Sequence, residues 1–141
     1  MTSTVGNQQQ ETIGVGLMKM NLNTRDPVYV QVIRYFKEQI AKRLLEPGEE
    51  IPSRRELANK LKINPNTVQR AYKEMEGQGL IYTERNLPSR ITKDEQVLKE
   101  VREELILEAV ESFISSVRSI NVPLYEAIKL VKENYEEESN E

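Results

Sequence analysis

Five polar residues with hydrogen-bonding side chains lie close together in the middle of the chain: Asn64, Asn66, Thr67, Gln69 and Arg70. Amide side chains can pair with adenine edges, hydroxyl groups bind bases or phosphates, and arginine binds guanine or phosphate. The set is therefore suited to binding a nucleic acid. The alternative is that these residues form the solvated face of an ordinary amphipathic helix.

The local sequence favours the nucleic-acid interpretation. Asn64, Asn66 and Thr67 are weak to moderate helix formers, yet they gather where a helix begins. Arg54 and Arg55 lie in the first turn of the helix before it, and helix starts attract anions. We therefore expect Arg54, Arg55 and Arg70 to join the amides and the hydroxyl in a binding surface.

Two helices joined by a tight corner are predicted to carry these residues. Ser53 and Glu56 have the spacing of a capping box, which begins the first helix. Asn64 suits the cap of the second helix, Pro65 suits its first position, and Gly79 suits a left-handed end. The pattern indicates a helix-turn-helix whose second helix buries one stripe of residues: Val68, Ala71, Tyr72 and Met75.

The flanking segments complete a winged helix-turn-helix. A bracing helix is predicted from Pro27 to the Glu46-Pro47-Gly48 turn. Residues 80–93 have β-forming residues at both ends and Asn-Leu-Pro-Ser between them, which predicts a hairpin wing. Arg85 and Arg90 near its tip suit phosphate or the minor groove, or are ordinary surface arginines.

The bracing helix is expected to bury these residues: Val28, Val32, Ile33, Phe36, Ile40 and Leu44. Tyr29 near its start could bind a phosphate through its hydroxyl group. The interpretation that we favour places Tyr29 at the edge of the core.

Composition excludes several classes of function. The chain has no cysteine and no histidine, which removes disulfides, thiol nucleophiles, imidazole catalysis and nearly every zinc site. We therefore predict no enzyme activity, no cofactor and no metal. No long apolar run or signal peptide is evident, so we expect a cytoplasmic protein without a membrane partner.

The net charge of −3 is divided unevenly along the chain. Residues 19–93 carry 15 Lys and Arg against 9 acidic residues, whereas residues 94–141 carry 5 against 13. A basic segment that holds the helix-turn-helix is expected to face a polyanion, and the acidic segment is expected to face away from it.

Two helices are predicted after residue 94, and both have a long apolar face. These helices are expected either to form a two-fold dimer with a second copy or to pack back on the helix-turn-helix. We favour the dimer, because it would present two recognition helices to successive major grooves of a palindromic site. The predicted dimer interface comprises Leu98, Val101, Leu105, Ala109, Phe113, Val117, Leu124, Ile128 and Val131.

Four motifs in order resemble the DNA-binding domain of the GntR family of bacterial transcription regulators: P-V-Y-V-Q-V, P-G-E-E-I-P-S-R-R-E-L-A, I-N-P-N-T-V-Q-R-A-Y and G-L-I-Y-T. The resemblance covers about residues 26–92, and the third motif with a short helical remainder is similar to the YtrA-like branch. That resemblance implies regulation of an operon that includes a transporter, and we expect the protein to be a repressor that acts at its own promoter.

The resemblance implies DNA contacts at particular positions. Arg55 matches a family arginine that meets phosphate and base, and Arg85 and Asn86 match the tip of the family's wing. Asn64, Asn66, Thr67 and Gln69 match recognition-helix positions. Two features depart from the family: N-L-P-S-R-I replaces a glycine-rich wing, and Pro65 stands where many members have a base-reading arginine.

The expected architecture is therefore mainly α-helical, a winged helix-turn-helix of three helices and a β-hairpin followed by two dimerisation helices. We divide the chain into a flexible tail (residues 1–22), the DNA-binding domain (23–93) and the dimerisation domain with its acidic tail (94–141). The expected partners are double-stranded DNA and a second copy, and the sequence leaves the existence of a small-molecule effector open. The alternative function is a protein-interaction module that does not read DNA.

Overall fold

The computed structural model describes residues 20–139, which contain five α-helices and one two-stranded antiparallel sheet. Most of the predicted N-terminal tail lies outside this range. The elements are α1 (Val28–Ala41), α2 (Arg54–Leu61), α3 (Pro65–Gly77), β1 (Ile81–Tyr82), β2 (Arg90–Ile91), α4 (Glu95–Ser119) and α5 (Leu124–Ser139). The mainly helical architecture and the winged helix-turn-helix predicted from the sequence are confirmed.

The recognition helix α3 is the centre of the first compact unit, because both α1 and α2 pack against it. Its predicted stripe, Val68, Ala71, Tyr72 and Met75, is fully buried. The ring of Tyr72 meets Phe36 of α1 edge-on, with the ring centroids 5.9 Å apart. Edge-to-face aromatic pairs prefer this separation, so the contact fixes α1 against α3.

The predicted helix starts are formed by side-chain caps. The Glu56 backbone N–H donates to Ser53 Oγ at 3.1 Å, and the Ser53 N–H donates to the Glu56 carboxylate at 3.4 Å. The Asn66 backbone N–H donates to the Asn64 side chain at 2.8 Å, with Pro65 at the first helical position. Each cap satisfies backbone donors that the helix itself leaves free.

Helix ends in this chain use left-handed residues. Gly79 has φ +76° and ends α3 as predicted, and Lys62, with φ 54°, turns the chain from α2 toward α3. Arg43, with φ 60°, ends α1 earlier than the apolar pattern predicted. Consequently Leu44 is exposed and Leu45 is buried in the core in its place.

The wing is anchored on both sides of β2. β1 pairs with β2 in the register Ile81 to Ile91 and Tyr82 to Arg90. On the other side, the Ile91 N–H donates to the Glu49 carbonyl oxygen at 2.9 Å, and the Ile51 N–H donates to the Ser89 carbonyl oxygen at 3.0 Å. The base of the wing is thus held by the segment that leads into α2.

Helix α4 starts within the first compact unit and continues into the second. Asp94 caps it by accepting the Gln96 backbone N–H at 2.9 Å. Leu98 and Val101 are buried in the same core as α1 to α3. These two residues were predicted at the dimer interface, but the structure places them in the core of their own chain. The two compact units divide after Arg102 and not at residue 94, because the first turns of α4 complete that core.

The second compact unit, residues 103–141, contains the rest of α4 and all of α5. Asn121, with φ 58°, ends α4, and the Val122 N–H donates back to the Val117 carbonyl oxygen at 3.0 Å. Both helices expose large apolar side chains, including Ile106, Leu107, Val110, Phe113, Ile114, Leu124, Ile128 and Val131. Between residues 20 and 139, no helix is both long enough and apolar enough to cross a bilayer.

The burial of Tyr72 predicts a specific response to alkaline pH. Burial is the main cause that raises the pKa of its hydroxyl group; Glu56 raises it further, and Arg54 opposes the shift. The hydroxyl group donates to the Pro52 carbonyl oxygen. The folded chain therefore keeps a proton on Tyr72 that the unfolded chain loses above about pH 10. The contribution of this hydroxyl group to the free energy of unfolding is thus fully present below that pH and falls as the pH rises.

We expect Tyr72→Phe to cost about 1 kcal/mol at pH 8, since the Pro52 carbonyl oxygen loses its donor. Between pH 8 and pH 11 the wild-type chain should lose about 1 kcal/mol more stability than Tyr72→Phe. Urea unfolding at both pH values measures the difference, and equal losses in the two proteins would contradict the assignment.

Candidate nucleic-acid interface

The starts of α2 and α3 present the predicted polar residues to solvent. Arg55, Asn66 and Gln69 are exposed, and Thr67 is half-buried. The exposed side chains occur on α3 positions between the buried residues Val68, Ala71, Tyr72 and Met75, because the 3.6-residue period separates the two faces. The first turns of both helices therefore carry amide, hydroxyl and guanidinium groups.

Asn64 is exposed and also caps the start of α3. Its side-chain oxygen accepts the Asn66 backbone N–H at 2.8 Å, so this oxygen is already used as the cap of α3. The side-chain NH₂ group of Asn64 is the part suited to an external acceptor. Asn66 and Gln69 are accordingly the amides best placed to pair with base edges through both of their polar atoms.

Arg70 is held against the start of α1. Its guanidinium carbon lies 3.7 Å from the centroid of the Tyr29 ring, and Nη2 donates to the Tyr29 hydroxyl group at 3.0 Å. Glu74, one turn further along α3, lies 3.9 Å from Arg70 Nε. Tyr29 thus orients Arg70, a role beyond the core-edge position that the sequence favoured.

Arg54, which was predicted to join the binding surface, makes contacts within its own chain. Its Nη2 donates to the Glu76 carboxylate at 3.0 Å, and its guanidinium carbon lies 5.2 Å from the centroid of the Tyr72 ring. The side chain of Arg54 is 33% exposed, whereas the neighbouring Arg55 is exposed. The structure therefore places Arg54 in an internal ion pair and leaves Arg55 facing solvent.

The wing tip carries Arg85 and Asn86, both exposed. Asn86 adopts φ 63°, and the Leu87 N–H donates to the Glu84 carbonyl oxygen at 3.0 Å, so a tight turn forms without glycine. Arg90 is not at the tip. It donates to the Gly48 carbonyl oxygen at 2.9 Å and to Glu50 at 2.8 Å, which ties β2 to the chain before α2.

Glu76, Thr83 and Ser89 are polar residues of this region that sequence reasoning missed. Thr83 Oγ1 donates to the Glu76 carboxylate at 2.9 Å, and the hydroxyl oxygens of Thr83 and Ser89 are 2.6 Å apart. No sequence signal points to this group, since Arg54 and Glu76 are 22 residues apart. Only the packing of α2 and the wing against α3 brings the four side chains together.

The described residues do not assemble a candidate metal site. No cluster of three or more His, Cys, Asp or Glu residues among residues 20–139 has the geometry to hold a metal ion. The polar residues at the helix starts are hydrogen-bond donors and acceptors, carried on a winged helix-turn-helix. Such a fold and such a surface define the class of DNA-binding transcription regulators.

Comparisons with known proteins agree with this class. Residues 28–91 match the family described as bacterial regulatory proteins, gntR family. The chain is 33% identical to the transcriptional repressor YtrA of Bacillus subtilis over 83% of this chain and 91% of that protein. It is 30% identical to the uncharacterised regulator YhcF of the same organism, over 82% and 95% of the two chains.

A solved structure is also similar. A GntR family regulator from Listeria monocytogenes has a TM-score of 0.74 and 32% identity, covering 79% of this chain and 98% of that chain. The chain belongs to the GntR family of bacterial transcription regulators, in its YtrA-like branch. The resemblance stated from the sequence motifs is thereby confirmed, and members of this family are regulators and not enzymes.

The exposed Arg55 gives a first prediction for DNA binding. We expect Arg55→Ala to weaken binding to duplexes of any sequence by about tenfold and to lower the slope of log affinity against log salt by about 1, because a phosphate contact is lost. Arg102→Ala removes an exposed cation from α4 and serves as the control. Fluorescence anisotropy at several salt concentrations measures both quantities, and an unchanged salt slope for Arg55→Ala would count against the contact.

Proposed function

We propose that the protein is a dimeric, sequence-specific repressor that binds a palindromic operator in double-stranded DNA. The observation that carries the proposal is the polar surface near the starts of α2 and α3, in which all residues but the half-buried Thr67 are exposed: Arg55, Asn64, Asn66, Thr67, Gln69 and Arg70. The wing tip residues Arg85 and Asn86 complete this surface. The repressor role is supported by the similarity to the repressor YtrA.

The mechanism follows from the division of α3 into two faces. Its buried face fixes the helix against α1 and α2, so the exposed amides are presented on a rigid support. Asn66 and Gln69 would pair with base edges in the major groove, while Arg55 and Arg70 would hold phosphates. Binding of this kind at a promoter blocks polymerase by occupying the same DNA.

The second compact unit supports a dimer. Phe113, Leu124, Ile128 and Val131 are large apolar residues that remain exposed in a single chain. An exposed apolar surface of this kind is typical of an interaction site, and a two-fold axis would bring the same surface of two copies together. With Leu98 and Val101 buried in the core, the proposed interface comprises Leu105, Ala109, Phe113, Val117, Leu124, Ile128 and Val131.

The cellular role is proposed from membership in the YtrA-like branch. The protein would act in the cytoplasm and repress its own operon together with a transporter gene. Footprinting on the DNA upstream of its own gene tests this directly. Protection of two half-sites about one helical turn apart is expected for the dimer, and the absence of protection would contradict self-repression.

The amides of α3 give a prediction about specificity. We expect Asn66→Ala and Gln69→Ala each to reduce discrimination at one base pair by about 1–3 kcal/mol, because a paired hydrogen bond to the base is lost. Gln96→Ala removes an exposed amide from α4 and is the control. Selection from a pool of random duplexes measures the preference. A preserved preference in both α3 variants would contradict base reading by these amides, and no preference in the wild-type chain would favour the protein-interaction module instead.

The apolar face of α4 gives a prediction about assembly. We expect the wild-type chain to sediment as a dimer and Phe113→Asp to sediment as a monomer, because a carboxylate would be buried at the interface without a partner. Leu44→Asp changes another exposed apolar residue, in the first compact unit, and should remain dimeric. A dimeric Phe113→Asp protein would contradict the proposed interface.

A further inference from the structure

The carboxylate of Glu76 receives hydrogen bonds from two directions. Arg54 Nη2 donates to Glu76 Oε1 at 3.0 Å, and Thr83 Oγ1 donates to the same oxygen at 2.9 Å. The hydroxyl oxygens of Thr83 and Ser89 are 2.6 Å apart. We name Arg54, Glu76, Thr83 and Ser89 the Glu76 network.

The Glu76 network joins four segments of the DNA-binding unit. Arg54 is the first residue of α2, Glu76 lies in the last turn of α3, Thr83 follows β1 and Ser89 precedes β2. Ser89 also accepts the Ile51 backbone N–H at 3.0 Å through its carbonyl oxygen. One carboxylate of the recognition helix is therefore connected to the base of the wing and to the start of α2.

The surroundings of Arg54 make it unsuited to a phosphate contact. Its charge is paired with Glu76, its guanidinium group lies over the Tyr72 ring, and its Nε atom is buried. Moving this guanidinium group to a phosphate would break the ion pair and the ring contact together. The next residue, Arg55, is exposed, so the two adjacent arginines are suited to different contacts.

Hydrogen bonds to a charged group are shorter and stronger than neutral ones. The half-buried Glu76 carboxylate can therefore hold both Arg54 and Thr83 in place. The wing has only two short strands of two residues each, so its main-chain pairing alone gives limited rigidity. The network supplies additional contacts between the wing and α3.

We propose that Glu76 is a positioning residue that holds the wing and the start of α2 in a fixed arrangement against the recognition helix, and that Arg54 acts through Glu76 and not by contacting DNA. This proposal rests on the proposed DNA-binding function. Its structural part also applies to the free protein, which permits a test without DNA.

The first measurement is a double-mutant cycle on DNA affinity. We expect Arg54→Ala and Glu76→Ala each to weaken binding about tenfold, and the double variant to lose no more than either single variant. The salt slope should stay unchanged in Arg54→Ala, in contrast to Arg55→Ala. Fully additive losses together with a salt slope lowered by about 1 would overturn the proposal, since Arg54 would then bind phosphate itself.

The second measurement separates positioning from a general loss of stability. Glu76→Gln keeps an oxygen that can accept from Arg54 and Thr83, and it should restore most of the affinity that Glu76→Ala loses. The cost of Arg85→Ala at the wing tip should be smaller in the Glu76→Ala background, because the wing is no longer held in place. Equal costs of Arg85→Ala in both backgrounds would contradict the role of Glu76 in placing the wing.

Glu38→Ala is the matched control for the loss of a carboxylate. Glu38 forms an ion pair with Arg34 within α1 at 3.2 Å, apart from the Glu76 network. We expect this variant to bind DNA within about twofold of the wild type, because an ion pair between neighbouring turns of one helix contributes little and connects no separate segments. If Glu76→Ala binds as well as Glu38→Ala, the proposal is wrong.

Hydrogen exchange in the absence of DNA completes the test. The Ile51 amide, which donates to Ser89, should exchange faster in Glu76→Ala, while the amides of Phe36 and Ile40 in α1 should be unchanged. Equal acceleration at all three positions, or none, would overturn the positioning role. If the wild-type chain fails to bind duplex DNA, the proposed function fails and this exchange measurement alone decides the role of Glu76.

Discussion

The burial of Tyr72 is the interaction on which the rest of the DNA-binding unit depends. Its ring packs edge-on against Phe36 of α1, and its hydroxyl group donates to the Pro52 carbonyl oxygen before α2. The guanidinium group of Arg54, the first residue of α2, lies over the same ring. A single side chain of α3 thus contacts both neighbouring helices. Because this side chain is fully buried, the face of α3 that remains exposed is fixed as well.

The arginines of this unit fall into two groups, those in ion pairs within the chain and those exposed to solvent. Arg54 and Arg90 are tied to Glu76 and Glu50, where they connect α2, α3 and the wing. Arg55 and Arg85 face solvent, where a polyanion can reach them. The basic character of residues 19–93 therefore overstates the positive charge that is available for binding, since part of it is neutralised inside the unit.

The second compact unit poses a different physical problem. Its helices bury few of their apolar side chains within a single chain, and water-exposed residues such as Phe113 and Ile128 are costly to leave uncovered. The proposed two-fold association would remove this cost and would also set the separation of two recognition helices. The same apolar residues would then determine both the stability of the assembly and the spacing of the DNA half-sites.

The sequence by itself determined the helix starts, the buried stripe of α3 and the family, because caps, turn residues and apolar periodicity are local signals. Ser53 with Glu56 and Asn64 with Pro65 needed no tertiary information. Only the tertiary structure decided that Arg54 pairs with Glu76, that Arg70 lies on Tyr29, and that Leu98 and Val101 belong to the core. These contacts join residues far apart in the chain or depend on where one helix packs, and neither spacing nor residue type encodes such proximity.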